Sequence, residues 1–181
     1  MQIFIAIVLF LILLIALLWI LVPALHGLPP IATQHERIRA ALKMAELRPG
    51  ELLYDLGSGH GRVLVMAAKE FDARAVGLEV GPVQCVIARL NALYNGVSSR
   101  IRVETKNFYK ANINQADVVF AYLTSKQAAR LQTQLERQLK RGTRVVTISF
   151  DFPEWKPSKM DRERLIFLYH MPPDIEKLSV I

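Results

Sequence analysis

The chain has 181 residues, enough for one domain with a hydrophobic core of its own. All 23 Lys and Arg and all 16 Asp and Glu lie from Glu36 onward; the formal net charge of +7 suits an acidic partner (nucleic acid, anionic lipid or an acidic protein surface) without choosing among them. A single cysteine, Cys85, excludes an intrachain disulfide and fits a reducing compartment.

Ile3 to Val22 is an unbroken apolar run. A helix needs about 20 apolar residues to cross a bilayer, and a lone segment in lipid must be helical to satisfy its own backbone. Trp19 stands near the end of the run, where an interfacial aromatic is common, and Pro23, Gly27, Pro29 and Pro30 are expected to break the helix. A cleaved signal peptide fits less well. No Lys or Arg precedes the run, it exceeds the roughly 7–15 residues of a signal core, and Pro23 to Gly27 is a poor cleavage site. Residues 1–25 are therefore read as a transmembrane anchor, with residues 3–25 meeting the bilayer. Residues 26–35 are read as a Pro-rich linker and lip, and residues 36–181 as the folded domain. Arg37, Arg39, Lys43 and Arg48 follow the anchor, so the positive-inside rule puts the domain on the cytoplasmic or matrix-equivalent side.

Thr33-x-x-Glu36 has the form of a capping box, followed at helical spacing by Ile38, Ala41, Leu42 and Ala45. Glu51 to Asp55 reads as a buried strand. It runs into Gly57-Ser58-Gly59-His60-Gly61 and then a helix from Arg62 to about Phe71. Ala75 to Glu79 reads as a second strand. Pro82 opens the next helix, whose buried face is expected to carry Val83, Val86, Ile87, Leu90 and Leu93. Further strands are expected at Ile101–Val103, Asp117–Tyr122, Thr143–Phe150 and Arg164–His170, with a helix marked by Leu131, Leu135 and Leu139. The tail from Glu176 to Ile181 is expected to fold back on the last strand as a hairpin. Strands alternating with helices specify an α/β domain with a mostly parallel central sheet.

The chemistry gathers after the strands. Glycines at 57, 59 and 61 allow a tight turn and close approach of backbone to a ligand. A dinucleotide site favours G-x-G-x-x-G, whereas here the spacing is G-x-G-x-G behind a carboxylate, Asp55. A carboxylate repels pyrophosphate and suits a positive amino group, as in the methionine part of S-adenosylmethionine. Glu79, eighteen residues past Gly61, can accept from both hydroxyls of a ribose. Asn107, with its apolar neighbour Phe108, can hold an adenine. The plainer reading is a glycine turn that only packs helix on sheet; polar residues after three successive strands weigh against it. For a methyl acceptor, Tyr122, Phe150, Phe152 and Trp155 offer aromatic faces and Glu154 a carboxylate, with core packing the competing explanation for each ring. The four His residues are scattered, so no metal is expected, and no P-loop or Gly-x-Ser-x-Gly elbow occurs.

From about Thr33 to Phe150 the pattern resembles the class I S-adenosylmethionine-dependent methyltransferases, whose domain is Rossmann-like. A narrower likeness rests on four features in order. These are the anchor, the lip Leu28–Thr33, Asp55 to Arg62 with Ala75 to Glu79, and Phe150-x-Phe152-Pro153-x-Trp155. Together they resemble the mitochondrial lysine methyltransferases that modify the ATP synthase c-subunit and the adenine nucleotide translocase, and their prokaryotic relatives. The resemblance implies that Asp55, Gly57, Gly59 and Gly61 hold the methionine part of S-adenosyl-L-methionine, Glu79 its ribose and Asn107 its adenine. It also implies a lysine acceptor in a protein in or near the membrane. The chain departs from the family at His60 and Asn107, where Asp is usual; Asn can still accept from an adenine amino group, and His60 is given no role. No Asn/Asp-Pro-Pro-Tyr follows the fourth strand, which argues against adenine or glutamine acceptors. Two alternatives stand beside this reading: a methyltransferase for a lipid or quinone-like molecule, and a non-catalytic basic module. Nucleic acid is the less favoured partner, because the excess charge is spread over several helices as a solvated surface would be.

Overall fold

The computed structural model of the chain describes residues 1–25 and 34–175. Helix α1 spans Gln2–Leu25 and continues through Pro23, past the expected break. Its window Gln2–Trp19 has a mean hydropathy of 3.0, long and apolar enough to cross a membrane, and none of that window is buried. The core helix of a soluble protein would be covered; this one is bare.

The domain follows as α2 (His35–Met44), β1 (Leu52–Leu56), α3 (Arg62–Glu70), β2 (Arg74–Glu79), α4 (Pro82–Tyr94), β3 (Ile101–Thr105), β4 (Val118–Ala121), α5 (Ser125–Gln138) and β5 (Arg144–Ile148). Four short strands close it: β6 (Trp155–Lys156), β7 (Lys159–Asp161), β8 (Ile166–His170) and β9 (Asp174–Ile175). The main sheet has the order β3-β2-β1-β4-β5-β8-β7. The first five strands in sequence pair in parallel, while β8 runs antiparallel to β5 and β7 antiparallel to β8. This is a Rossmann-like sheet. Its order reverses between β1 and β4, which opens a crevice at the carboxyl ends of the strands where such folds bind ligands.

Strands buried on both faces separate two cores. On one side Ile38 and Leu42 of α2, Leu64 of α3, and Cys85 and Ala88 of α4 pack against Leu53, Val118, Phe120 and Val146. On the other, Leu131 and Leu135 of α5 pack against Leu78, Val119, Val145 and Tyr169, joined by Phe150, Phe152 and Trp155. At the amino ends of the strands Arg144 ties the layers together. It donates to the carbonyls of Ala45 and Glu46 and to the Glu51 carboxylate at 2.6 Å.

The structure corrects several expectations. Helix α4 buries Gln84, Cys85, Ala88 and Ala92. Of the residues expected inside, Val83 and Ile87 are half-buried, while Val86 is 51%, Leu90 57% and Leu93 65% exposed; Tyr94 beside them is 91% exposed. Close approach explains the inversion, because a Cβ added at Gly61 would lie 3.0 Å from the Ala88 Cβ, and only small side chains fit that gap. The expected capping box at Thr33 lies outside the described residues; α2 begins behind Gln34, and the capping box that does form is Thr124 with Gln127, at the head of α5. The expected tail strand, Glu176–Ile181, also lies outside the described residues, and it is β7 that pairs with β8 in a hairpin.

Candidate active site

Strand β1 delivers Asp55 to the crevice, and the chain then turns through three left-handed glycines, with φ of 87° at Gly57, 50° at Gly59 and 77° at Gly61. Those φ values favour glycine on steric grounds. Gly57 and Ser58 donate their amides to the Leu78 carbonyl, which lays the loop on β2. The fit requires Gly77 as well: a Cβ there would meet Leu64 Cδ1 and Ser58 Oγ, both at 2.6 Å. Inside the cradle the Ser58 hydroxyl is buried with no hydrogen-bond partner.

Two carboxylates face this loop. Glu79 is 5% exposed; one of its oxygens accepts from the Gly59 amide at 2.9 Å and the other from the Gly81 amide at 2.8 Å. Asp55 is 3% exposed, and burial, reinforced by the negative charge of Glu79, pushes its carboxyl up to about 8. A buried acid of this kind becomes a favourable carboxylate only when a cation comes to it. The pair matches a ligand with an ammonium group, which Asp55 can meet, and a ribose diol, which Glu79 can meet.

His60, at the top of the turn, stacks on Trp19 of α1 with ring centroids 4.9 Å apart. Burial, then the charge of Arg62, lowers its pKa, which favours the neutral ring. Its carbonyl accepts from the Asn91 side chain of α4.

The third polar residue arrives by strand register. Glu79 pairs with Thr105 of β3, and the Lys106 amide donates to the Glu79 carbonyl, so Asn107 lies just past the end of the neighbouring strand. Its Oδ1 accepts from the Tyr109 amide at 2.9 Å and caps a short 3-10 turn. Phe108 is packed in the second core.

The acceptor-side candidates separate. Tyr122, just beyond β4, is half-buried, with the Arg37 guanidinium 5.7 Å from its ring centre. Phe152 and Trp155 are each 2% exposed. Phe152 stands 4.4 Å from Trp155 and 5.2 Å from Tyr169 between centroids, so these rings fill the second core, Phe150 with them. Glu154 between them is exposed and accepts from Gln132 Nε2 at 3.1 Å.

Sequence reasoning missed Ser58, Gly81 and Arg37. Ser58 lies inside the glycine motif and Gly81 directly before Pro82, so both were open to notice. Arg37 carried no such signal. It reaches Ser149 Oγ and the Arg164 carbonyl across 112 and 127 residues of sequence.

Comparison with known proteins agrees with this geometry. A family model described as the ANTKMT methyltransferase domain matches residues 55–159. A protein-lysine N-methyltransferase of Saccharolobus islandicus is 35% identical over 133 residues, covering 73% of this chain and 83% of the relative. The human ATP synthase c-subunit lysine N-methyltransferase is 32% identical over 78% of this chain, which spans 60% of that protein's length. Among solved structures, an RNA methyltransferase of Salinibacter ruber in complex with S-adenosyl-L-homocysteine superposes with a TM-score of 0.78 at 33% identity, over 81% of this chain and 97% of that one. With the glycine cradle, the two carboxylates and these relatives in agreement, the chain belongs to the ANTKMT methyltransferase domain family.

Proposed function

We propose that the protein is a membrane-anchored, S-adenosylmethionine-dependent protein-lysine methyltransferase acting on a protein in or near the bilayer. The observation that carries the cofactor assignment is the pair of buried carboxylates around the left-handed glycine loop, Asp55 and Glu79. Asp55 would receive the amino group of the methionine part, with Gly57, Ser58, Gly59 and Gly61 allowing its close approach. Glu79 would receive the ribose hydroxyls and Asn107 the adenine, beside the buried Phe108. When bound, S-adenosylmethionine supplies a methyl group on a positive sulfonium, open to in-line displacement by a neutral amine.

A lysine with an ordinary pKa of about 10.4 must lose its proton before it attacks. Tyr122 offers a part-buried aromatic surface that favours the neutral amine by desolvation, and Glu154 an exposed carboxylate to orient it or take the proton. Phe152 and Trp155 would act by holding the segment that presents Glu154. Support for a lysine acceptor comes from the relatives named for it. Support for the anchor comes from the bare apolar helix, and the basic residues that follow it favour a domain on the cytoplasmic or matrix-equivalent side. A tether of a few residues raises the effective concentration of substrates in the same membrane.

The test is incubation of the full chain in detergent with methyl-labelled S-adenosylmethionine and solubilised membranes. Label recovered as methyl-lysine after protein hydrolysis supports the proposal. Label in the organic-solvent extract assigns a lipid or quinone-like acceptor instead. Label in RNA assigns the acceptor class for which the Salinibacter protein is named, and no transfer at all sinks the enzymatic reading.

A further inference from the structure

Helix α4 turns its larger apolar side chains away from the protein. Val86, Leu90, Leu93 and Tyr94 fall at i, i+4, i+7 and i+8, which places them on one helical face, opposite the buried Cys85, Ala88 and Ala92. All four are exposed. Grouped apolar exposure of this kind marks an interaction surface, since a solvated helix would carry polar residues there.

Three observations choose the occupant. The first is continuity with the anchor. A proline inside a helix has no N–H to offer the carbonyl four residues back. Pro23 therefore leaves the Trp19 carbonyl without its helical partner, and the buried Gln84 side chain of α4 donates to that carbonyl at 2.9 Å. Trp19 closes the apolar window of α1, the level at which aromatic residues meet the membrane–water boundary. The amino end of α4 is thereby fastened at that level. The second is charge: from Val80 to Val103 the chain carries Arg89, Arg100 and Arg102 and no Asp or Glu; Arg100 pairs with Asp72 and Arg102 with Glu104, while Arg89, on α4 itself, meets no carboxylate in an ion pair among the described residues and is the cation there for an anionic headgroup. The third is the stacking of His60 on Trp19, which makes a second link between the same end of α1 and the domain.

We propose that α4 is an interfacial helix, its outer face seated in the headgroup–acyl boundary of the bilayer that α1 crosses. The proposal rests on the membrane-anchored reading above. One crossing helix alone leaves a domain free to swing about its tether; a second apolar contact fixes its tilt. Because Glu79 and Gly81 immediately precede α4 and Asn91 of α4 holds the His60 carbonyl, the seat also sets the height of the cofactor cradle above the membrane. A lysine at that height is selected by geometry before any side chain recognises it.

The test uses the full chain in vesicles of phosphatidylcholine and phosphatidylglycerol, with an environment-sensitive fluorophore on one introduced cysteine at a time. The sites are Leu93→Cys on α4, Leu11→Cys on α1 and Thr133→Cys on α5, which packs on the other face of the sheet; native Cys85 is buried and stays unlabelled. The quencher is a phosphatidylcholine with a nitroxide high on its acyl chain. Loss of fluorescence at Leu93 and Leu11, with none at Thr133, is expected. Quenching at Leu11 without quenching at Leu93 overturns the interfacial seat and leaves the anchor standing. A blue-shifted but unquenched Leu93 site also overturns it, and shows protein on that face. Absence of quenching at both sites overturns seat and anchor together.

Discussion

At the residue scale, Asp55 is the group proposed to receive the amino group of the cofactor. Its carboxyl is pushed up to about 8 by burial and by Glu79, whereas in the unfolded chain it titrates near the ordinary aspartate value. The unfolded state then binds fewer protons between roughly pH 4 and 8, so the stability contributed by a neutral Asp55 is complete at low pH and is lost as pH rises through the folded value. Thermal melts of the cofactor-free protein should show this decline, and Asp55→Asn should flatten it. A ligand ammonium reverses the preference and expels the proton. Calorimetric binding of S-adenosylmethionine at pH 7 should therefore release protons, seen as a heat that depends on the buffer's ionisation enthalpy; equal release by Asp55→Asn would refute the assignment. Removing one partner of a buried ion pair costs about 3–5 kcal/mol, so Asp55→Ala should weaken binding on the order of a hundredfold or more. Gly61 makes a different demand. Its φ of 77° and the 3.0 Å approach to Ala88 predict that Gly61→Ala costs about 1–3 kcal/mol and lowers the melting temperature by several degrees. An unchanged melting temperature would show that the loop and α4 part without penalty.

At the scale of elements, legibility followed the range of the forces involved. Strands β1, β2, β4 and β5 are apolar runs bounded by turns, and each was readable because burial on both faces leaves that mark in the sequence. The pairs β6–β9 and β7–β8 involve two or three residues a strand, fixed by contacts distant in sequence, and carry no periodicity to read. In α4 the apolar stripe was plain, but its direction was not. Hydrophobicity ranks Leu90 above Ala88 as a core residue, while the narrow gap over Gly61 admits only Ala88. Asp55, Glu79 and the glycines stand out in the sequence by their own chemistry, and the structure places them around one loop, whereas a ring serves a core or a channel equally well. Substitution separates the two roles. Trp155, packed against Phe152 and Tyr169 with its indole N–H on Glu136, should behave as core: Trp155→Ala is expected to cost about 3–5 kcal/mol and lower the melting temperature by roughly 10 °C. Exposed Glu154→Gln should melt as the parent does and lose about tenfold or more in kcat. A normal kcat for Glu154→Gln would remove that carboxylate from the mechanism.

At the scale of the whole molecule, α1 and the domain meet at one end of α1, through Trp19, Gln84 and His60, while no residue of the window Gln2–Trp19 is buried. A helix with this exposure has two ordinary fates, a bilayer span or a signal segment that is removed, and they leave different products. A spanning anchor keeps its residues, resists extraction by alkaline carbonate and dissolves only in detergent. A removed segment leaves a chain whose intact mass lacks the first two dozen residues and which washes out of the membrane. The bilayer reading also sets a threshold. A charged residue at the centre of a spanning helix costs about 2.5–3.5 kcal/mol, so Leu11→Lys combined with Leu14→Lys should oppose insertion by roughly 5–7 kcal/mol. That double variant is expected in the carbonate supernatant, with the parent in the pellet at full mass. The proposed cofactor site, at β1, β2 and the loop between β1 and α3, lies outside the altered segment and should bind S-adenosylmethionine as before. Transfer to a membrane substrate, however, should fall with the loss of co-localisation. If the double variant methylated membrane protein as fast as the parent, the tether would be dispensable and the acceptor would have to be sought among soluble proteins.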